Sequence, residues 1–216
     1  MPHNTDTLLA QRSETVETIE ALMRYPSHAV SMAIEKGLLV PGSLVLDLGC
    51  GDGRNTKLLL EKGFRVVAVD REANSSIADI GDTKRFRFLE TDIAELAWVN
   101  NGPYDAVIAN FSLRNLPEGE FMKVSQKMRN YSVPGGFHLI EDYTNEGELR
   151  PPVGEYWPAA TEDGALSTVG GLYLAAGWDV IYDHSEFRQT LTPTADGSPA
   201  VQRVFTTFAS NVSPSF

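Results

Sequence analysis

The stretch from Leu44 to Asp70 constrains the possible folds of this chain more than any other. Leu44-Val45-Leu46-Asp47-Leu48 is an apolar run broken by one carboxylate, the pattern of a central parallel strand covered on both faces. Glycines at 49, 51 and 53 follow, then a predicted helix over 54–62 with Leu58, Leu59 and Leu60 on it and Gly63 placed to end it. Val66-Val67-Ala68-Val69-Asp70 reads as a second buried strand, completing a βαβ unit whose crossover is right-handed. The chain is therefore expected to be an α/β protein. Further strands are predicted over 86–90, 104–109, 137–141, 178–182 and 201–208. The last two flank a polar turn region with Pro193, Gly197 and Pro199, a spacing suited to an antiparallel hairpin at a sheet edge. A short helix is expected near 75–80. Another opens at Pro117 with Phe121, Val124, Met128 and Tyr131 on one face, and a third is capped by Thr161 and carries Leu166, Val169, Tyr173 and Ala176.

A chain of 216 residues, 42% of them apolar, can bury one sizeable core, so residues 1–216 are read as a single domain. Ahead of the first strand, Val16, Ile19, Leu22 and Met23 recur at helical spacing up to Pro26. Ser27 is placed to cap a second helix carrying Val30, Ala33 and Ile34 and ending at Gly37. Together, residues 13–37 are expected to form a helical lid. Residues 142–161 lack apolar periodicity but contain Tyr143, Pro151, Pro152, Tyr156, Trp157 and Pro158. A connection this long at the edge of an α/β sheet is often functional, and it is read as a cap.

Lys and Arg number 18 against 29 Asp and Glu, a formal charge of -11, which makes nucleic acid a poor partner. One cysteine forms no internal disulfide, and it makes no zinc spacing with four dispersed histidines. No metal site is expected. His138 falls inside a strand run and reads as core, and His184 follows a strand and reads as solvated. The first seven residues lack a basic head and a long apolar run, and no later run approaches the roughly 20 residues that span a bilayer. The chain thus reads as soluble and cytoplasmic, without a membrane partner, and it carries no signal for an oligomeric state.

Chemistry points to the glycine turn. Its glycines permit a sharp bend and close backbone approach to a ligand, and Asp70, 21 residues beyond Gly49, stands where an acidic side chain accepts from ribose hydroxyls. The pair indicates an adenosine-containing cofactor. A nicotinamide or flavin fingerprint reads G-x-G-x-x-G, but Arg54 holds the position of its last glycine. Asp47 just ahead of the turn is awkward beside a pyrophosphate and suitable near an ammonium group, which favours a zwitterionic adenosyl ligand.

These residues, LDLGCGDGRN followed by VVAVD, resemble the class I S-adenosylmethionine-dependent methyltransferases, in particular the small-molecule branch typified by the tellurite-resistance methyltransferase. The likeness covers residues 26–141. It implies a Rossmann-like seven-stranded, mostly parallel sheet of order 3-2-1-4-5-7-6, its last strand antiparallel, with helices on both faces and N-terminal helices. It also implies S-adenosyl-L-methionine as cofactor and S-adenosyl-L-homocysteine as product. By motif, Asp47, Gly49, Cys50 and Gly51 would line the methionine end, Asp70 would hold the ribose, and Arg71 would flank the adenine. Asp92 and Ile93 would meet the adenine amino edge, with Asn110 and Phe111 forming the floor beneath the sulfonium.

The reaction implied is methyl transfer to an O, N, S or C nucleophile of a small-molecule substrate. Acceptor-side candidates are Tyr25, His28, Leu113, Arg114, Glu141, Asp142, Tyr143, Tyr156 and Trp157. Among them His28 or Asp142 is the expected base if a phenol or carbon acid must lose a proton, and Tyr25, Arg114, Tyr143 and Trp157 are expected to contact the acceptor. Two alternatives share the pocket: a non-methylating cyclase or pericyclase on the same fold, and a non-catalytic binding or regulatory subunit.

Overall fold

The computed structural model describes residues 25–81, 83–98, 101–159, 167–194 and 199–211. In chain order its elements are α1 (His28–Glu35), β1 (Leu44–Leu48), α2 (Arg54–Glu61), β2 (Arg65–Asp70), α3 (Ser75–Ala78), β3 (Phe86–Glu90) and β4 (Tyr104–Asn110). A 3-10 turn (Leu113–Asn115) follows, then α4 (Glu118–Asn130), β5 (Ser132–Gly147), α5 (Thr168–Ala175), β6 (Asp179–Pro193) and β7 (Pro199–Ser210). The strands form one sheet of order β3-β2-β1-β4-β5-β7-β6. β1 to β5 pair in parallel, and β7 runs antiparallel to both β5 and β6. Order and strand direction are those expected.

Side-chain alternation along the parallel strands feeds two cores, one on each face. Val45, Val66, Ala68, Ile108 and Leu139 pack toward Val30 of α1, Leu59 of α2 and Ile77 of α3. Leu46, Leu48, Val69, Val107 and Ile140 pack toward Phe121, Val124 and Met128 of α4 and Tyr173 of α5. The helices close as the sequence suggests. Ser27 caps α1, its hydroxyl accepting from the Ala29 N–H, and Gly37 follows in the left-handed region at φ 69°. Pro117 is the N-cap of α4 rather than its first residue. The predicted helix of residues 16–23, and with it the first half of the lid, lies outside the described residues.

Three boundaries differ from expectation. β5 begins at Ser132 and continues to Gly147, with Tyr143 paired to Val204 and Gly147 to Gln202. The first six residues of the expected cap are therefore strand. β6 likewise extends to Pro193, so His184 lies in a strand, exposed, with Glu186 3.7 Å away. Ser167, not Thr161, caps α5, accepting from Gly170 N–H. Thr161 and Leu166 lie outside the described residues.

His138 is fully buried, as expected of core. Its Nε2 lies 2.7 Å from Ser132 Oγ and its Nδ1 2.6 Å from the Tyr173 hydroxyl. The Ser132 hydroxyl donates to the Met128 carbonyl, so it accepts from Nε2–H and leaves Nδ1 to accept from Tyr173. Burial, with a smaller contribution from the Arg129 charge, pulls the imidazole down from 6.5 to about 3. As pH falls through 6.5 the unfolded chain binds a proton that the folded protein refuses until about 3, so this group removes stability across that window on acidification. The stability gap between wild type and His138→Gln, measured by urea unfolding, should therefore shrink between about pH 7 and about pH 4. A constant gap would mean that the folded protein accepts the proton.

Candidate active site

The carboxyl ends of β1, β2, β4 and β5 open onto a cavity of about 1070 Å³. Open α/β sheets bind ligands on this side. The turn after β1 holds Gly49, Gly51 and Gly53 in the left-handed region, at φ 76°, 55° and 76°. At Gly49 a Cβ would overlap the side chain of Ser112, whose hydroxyl donates to the Leu48 carbonyl. At Gly51 an added Cβ meets nothing within 4 Å, which leaves an open cradle above the backbone.

The backbone N–H groups of the turn are mostly engaged within the protein. Those of Gly49 and Cys50 donate to the Val69 carbonyl, that of Gly53 to Cys50, and that of Arg54 to the Asp52 side chain. The Gly51 N–H donates to Asp70 Oδ2 at 2.8 Å, and Arg71 N–H donates to Asp70 Oδ1 at 2.7 Å. No described protein donor reaches the Gly49 carbonyl. A pyrophosphate needs free donors, whereas an ammonium group needs acceptors, so the turn suits a zwitterion.

Of the cofactor residues expected from sequence, Gly49, Cys50, Gly51, Asp70, Arg71, Ile93, Asn110 and Phe111 all line the cavity. Asp47 does not. It is buried beneath the turn, accepting from Thr56 Oγ1 at 2.6 Å, and burial raises its carboxyl to about 6 against that hydrogen bond. Cys50 is a buried thiol whose proton affinity is raised by burial and then by the Asp47 charge, which makes it filler and not a nucleophile. Asp92 also lies off the cavity. Arg71 Nε donates to its Oδ2 at 2.9 Å and Ala94 N–H to its Oδ1, so the neighbouring Ile93 supplies the wall.

On the acceptor side, Tyr25, His28, Arg114 and Tyr143 line the cavity. His28 is exposed at the first residue of α1. Asp142, expected as a possible base, faces the opposite layer because alternation puts it and Glu141 on different sides of the sheet. Its oxygens accept from the backbone N–H groups of Arg114 and Tyr143. Burial raises it to about 7, opposed chiefly by the Arg114 charge. Trp157 is likewise off the cavity, packed edge-on to Tyr143 at 5.4 Å. Phe111 adopts a left-handed φ of 55°, a strained conformation for a bulky residue. Its N–H donates to the Glu141 carbonyl, and its ring meets Tyr143 edge-on at 5.2 Å.

Among the lining residues that escaped sequence reasoning are Ser27, Asn55 and Arg188. Ser27 and Arg188 meet at Glu141, a buried carboxylate that sequence placed only generally on the acceptor side, and Asn55 holds Ser27. Glu141 Oε2 accepts from Ser27 Oγ at 2.8 Å and Asn110 Nδ2 at 2.5 Å, and Oε1 accepts from Arg188 Nη1 at 2.6 Å and Thr206 Oγ1 at 3.3 Å. Asn55 Oδ1 accepts from the Ser27 N–H. Among the described residues, no group of three or more His, Cys, Asp or Glu is placed to hold a metal ion. Nor is any helix among them long and apolar enough to cross a membrane.

This sheet order, with a glycine turn and an acid at the end of the second strand on one cavity, agrees with the fold of the class I S-adenosylmethionine-dependent methyltransferases that the sequence resembles. Residues 45–136 match the family described as "Methyltransferase domain". Protein-L-isoaspartate O-methyltransferase of Methylorubrum extorquens is 27% identical over 62% of this chain and 60% of its own length. TehB of Haemophilus influenzae, described as an S-adenosyl-L-methionine-dependent methyltransferase, is 28% identical over 50% of this chain and 38% of its own length. The chain thus spans less than two thirds of these relatives. The TehB crystal structure superposes with TM-score 0.66 over 84% of this chain and 60% of that one, at 20% identity. The 1,6-didemethyltoxoflavin-N1-methyltransferase of Burkholderia thailandensis, solved with its substrate and S-adenosylhomocysteine, superposes with TM-score 0.64 at 20% identity, over 99% of this chain and 92% of that one.

Two substitutions at the turn separate space from backbone strain. Gly51→Ala should cost only the left-handed penalty of about 1–2 kcal/mol, while Gly49→Ala should cost clearly more because Ser112 must move as well. Urea unfolding of both variants checks this, and equal losses would refute the close approach. Trp157→Ala should destabilise the fold by about 3–5 kcal/mol and leave the affinity of the folded protein for S-adenosylhomocysteine unchanged by calorimetry.

Proposed function

We propose that this protein transfers a methyl group from S-adenosylmethionine to a small-molecule acceptor. The observation that carries the reading is that one cavity joins the open Gly51 cradle and Asp70 at one end to Phe111, Arg114 and Tyr143 at the other. Its volume of about 1070 Å³ is at the upper end of small-molecule sites, enough for cofactor and acceptor together. The cofactor fits the residues present. The Gly49 carbonyl and the nearby carboxylates suit its ammonium, Arg54 at the start of α2 suits its carboxylate, and Asp70 retains lone pairs for the ribose hydroxyls. When bound, the cofactor supplies a methyl group already activated on a sulfonium.

The protein's own work is then alignment and exclusion of water. Asn110 is held by Glu141 and Phe111 by its strained backbone, so both present fixed surfaces. Glu141 accepts four hydrogen bonds, one from a guanidinium, and serves as an anchor. With Asp142 off the cavity, His28 is the group suited to take a proton from an acceptor that carries one. The relatives differ in acceptor, one named for isoaspartyl protein and one for a small heterocycle. The cavity, walled by Tyr143 and the β6 side chain Arg188, favours a small molecule over a protein segment. Detection by mass spectrometry of S-adenosylhomocysteine together with a methylated product tests the reading. An acceptor converted without cofactor consumption would favour a cyclase instead.

Asp70→Ala should weaken both S-adenosylmethionine and S-adenosylhomocysteine by about ten- to a hundredfold, because the two share the ribose. The substitution also releases the Gly51 N–H, so Asp70→Asn, which keeps one acceptor oxygen, should recover part of the binding. Calorimetry on folded variants reads this out, and wild-type affinity in Asp70→Ala would remove the ribose clamp.

A further inference from the structure

Four arginines line the cavity, and their surroundings differ. Arg71 is paired with Asp92 at 2.9 Å, and Arg188 is held between Glu141 and Glu186 at 2.6 Å each. Arg54 begins α2 at the cofactor end. Arg114 lies at the acceptor end, its guanidinium carbon 4.3 Å from the Tyr143 ring centroid and 5.9 Å from that of Phe111. Aromatic faces attract a cation and fix its plane without neutralising it.

The nearest carboxylate to Arg114 is Asp142 Oδ1, 3.9 Å from Nε, beyond hydrogen-bond reach. The Asp142 carboxyl is raised to about 7 by burial, which lowers the negative charge it offers near neutrality. Among the described residues no protein acceptor is hydrogen-bonded to the Arg114 side chain, which is only 22% exposed. A guanidinium oriented by rings, partly withdrawn from water and without a bidentate partner is a receptor for a planar oxyanion.

We propose that Arg114 binds a carboxylate on the acceptor, so that the substrates of this protein are small carboxylic acids methylated at another atom or at the acid itself. The proposal rests on the methyltransferase reading and adds the chemical class of acceptor. The rigid ring cluster of Phe111, Tyr143 and Arg114 then orients the acceptor by its acid group, while the floor residue Asn110 remains at the cofactor end.

The test uses matched pairs of acid and primary amide as probes: benzoate with benzamide, cinnamate with cinnamamide, and fumarate with fumaramide. Each is titrated by calorimetry into the full chain, alone and saturated with S-adenosylhomocysteine. At least one acid should bind about tenfold or more tightly than its amide. Arg114→Gln should abolish that preference, and Arg114→Lys should restore part of it. Affinity for S-adenosylhomocysteine should stay at the wild-type value in both variants, and each should still unfold in one cooperative transition. Absence of any acid preference in wild type, or a preference that survives in Arg114→Gln, overturns the proposal. A wild-type protein that does not bind S-adenosylhomocysteine overturns the methyltransferase reading instead, and the titrations without that ligand show whether the acid preference stands apart from it.

Discussion

The buried carboxylate of Glu141 holds the active end of the sheet together. An ionised carboxylate out of water is costly unless it is fully paired, and each Glu141 oxygen meets two donors. Those donors come from the cap of α1, the end of β4, β6 and β7. Losing any one leaves part of a charge unpaired, so all four elements are kept in register at this point. The Ser27 hydroxyl illustrates the economy of the site. It accepts from the Ala29 N–H to start α1 while donating its proton to Glu141, so the helix begins where it meets the sheet. Because a carboxylate offers only acceptors, Asn110 must present its NH₂ group to Glu141, and its carbonyl oxygen is turned toward Asn55 Nδ2, 3.5 Å away. The orientation of Asn110 is thereby set by a residue on the neighbouring strand.

Strand alternation gives the adjacent acids Glu141 and Asp142 different roles. Glu141 shares its face with Leu139 and turns toward α1 and the cavity, whereas Asp142 shares its face with Ile140 and turns toward the 3-10 turn. There it accepts from the Arg114 N–H and fixes the backbone from which the Arg114 side chain projects. Glu141 thereby fixes Asn110 at the end of β4, and Asp142 fixes the backbone of Arg114.

The parallel half of the sheet was readable because buried parallel strands appear as unbroken apolar runs ending at glycines. β1 and β4 begin at the residues expected, β2 begins one residue earlier at Arg65, and the turn signature and Asp70 fall on the cavity. The antiparallel half was readable in position and direction but not in extent. The added residues of β5, Asp-Tyr-Thr-Asn-Glu-Gly, and those of β6 beyond Tyr182 are mostly polar. Their pairing is sustained by contacts with β7 that no local pattern reveals. Gln202 is fully buried, donates to the Thr144 carbonyl and accepts from Leu149 N–H, while Arg203 meets Glu146 at 3.0 Å. Arg188 escaped for the same reason, since it reaches Glu141 across 47 residues of sequence. Trp157 misled because an aromatic in a long connection suggests a ligand wall, whereas here it backs the Tyr143 ring that forms the wall.

The same division shapes the electrostatics. A chain of net charge -11 sets up a long-range field that repels anions. At physiological ionic strength that field decays over about 8 Å, so a ligand inside the cavity responds mainly to its immediate neighbours. Arg71 and Arg188 are already matched by carboxylates and add little net attraction. Arg114 is matched only by ring faces and by an acid that shares its proton near neutrality, and Arg54 has no carboxylate within salt-bridge distance among the described residues. The local balance thus runs opposite to the global one beside Tyr143, whereas beside the start of α2 Asp52 and Asp70 line the cavity together with Arg54. The acidic surface bears on how fast an anion arrives, and the ring-held guanidinium bears on whether it stays.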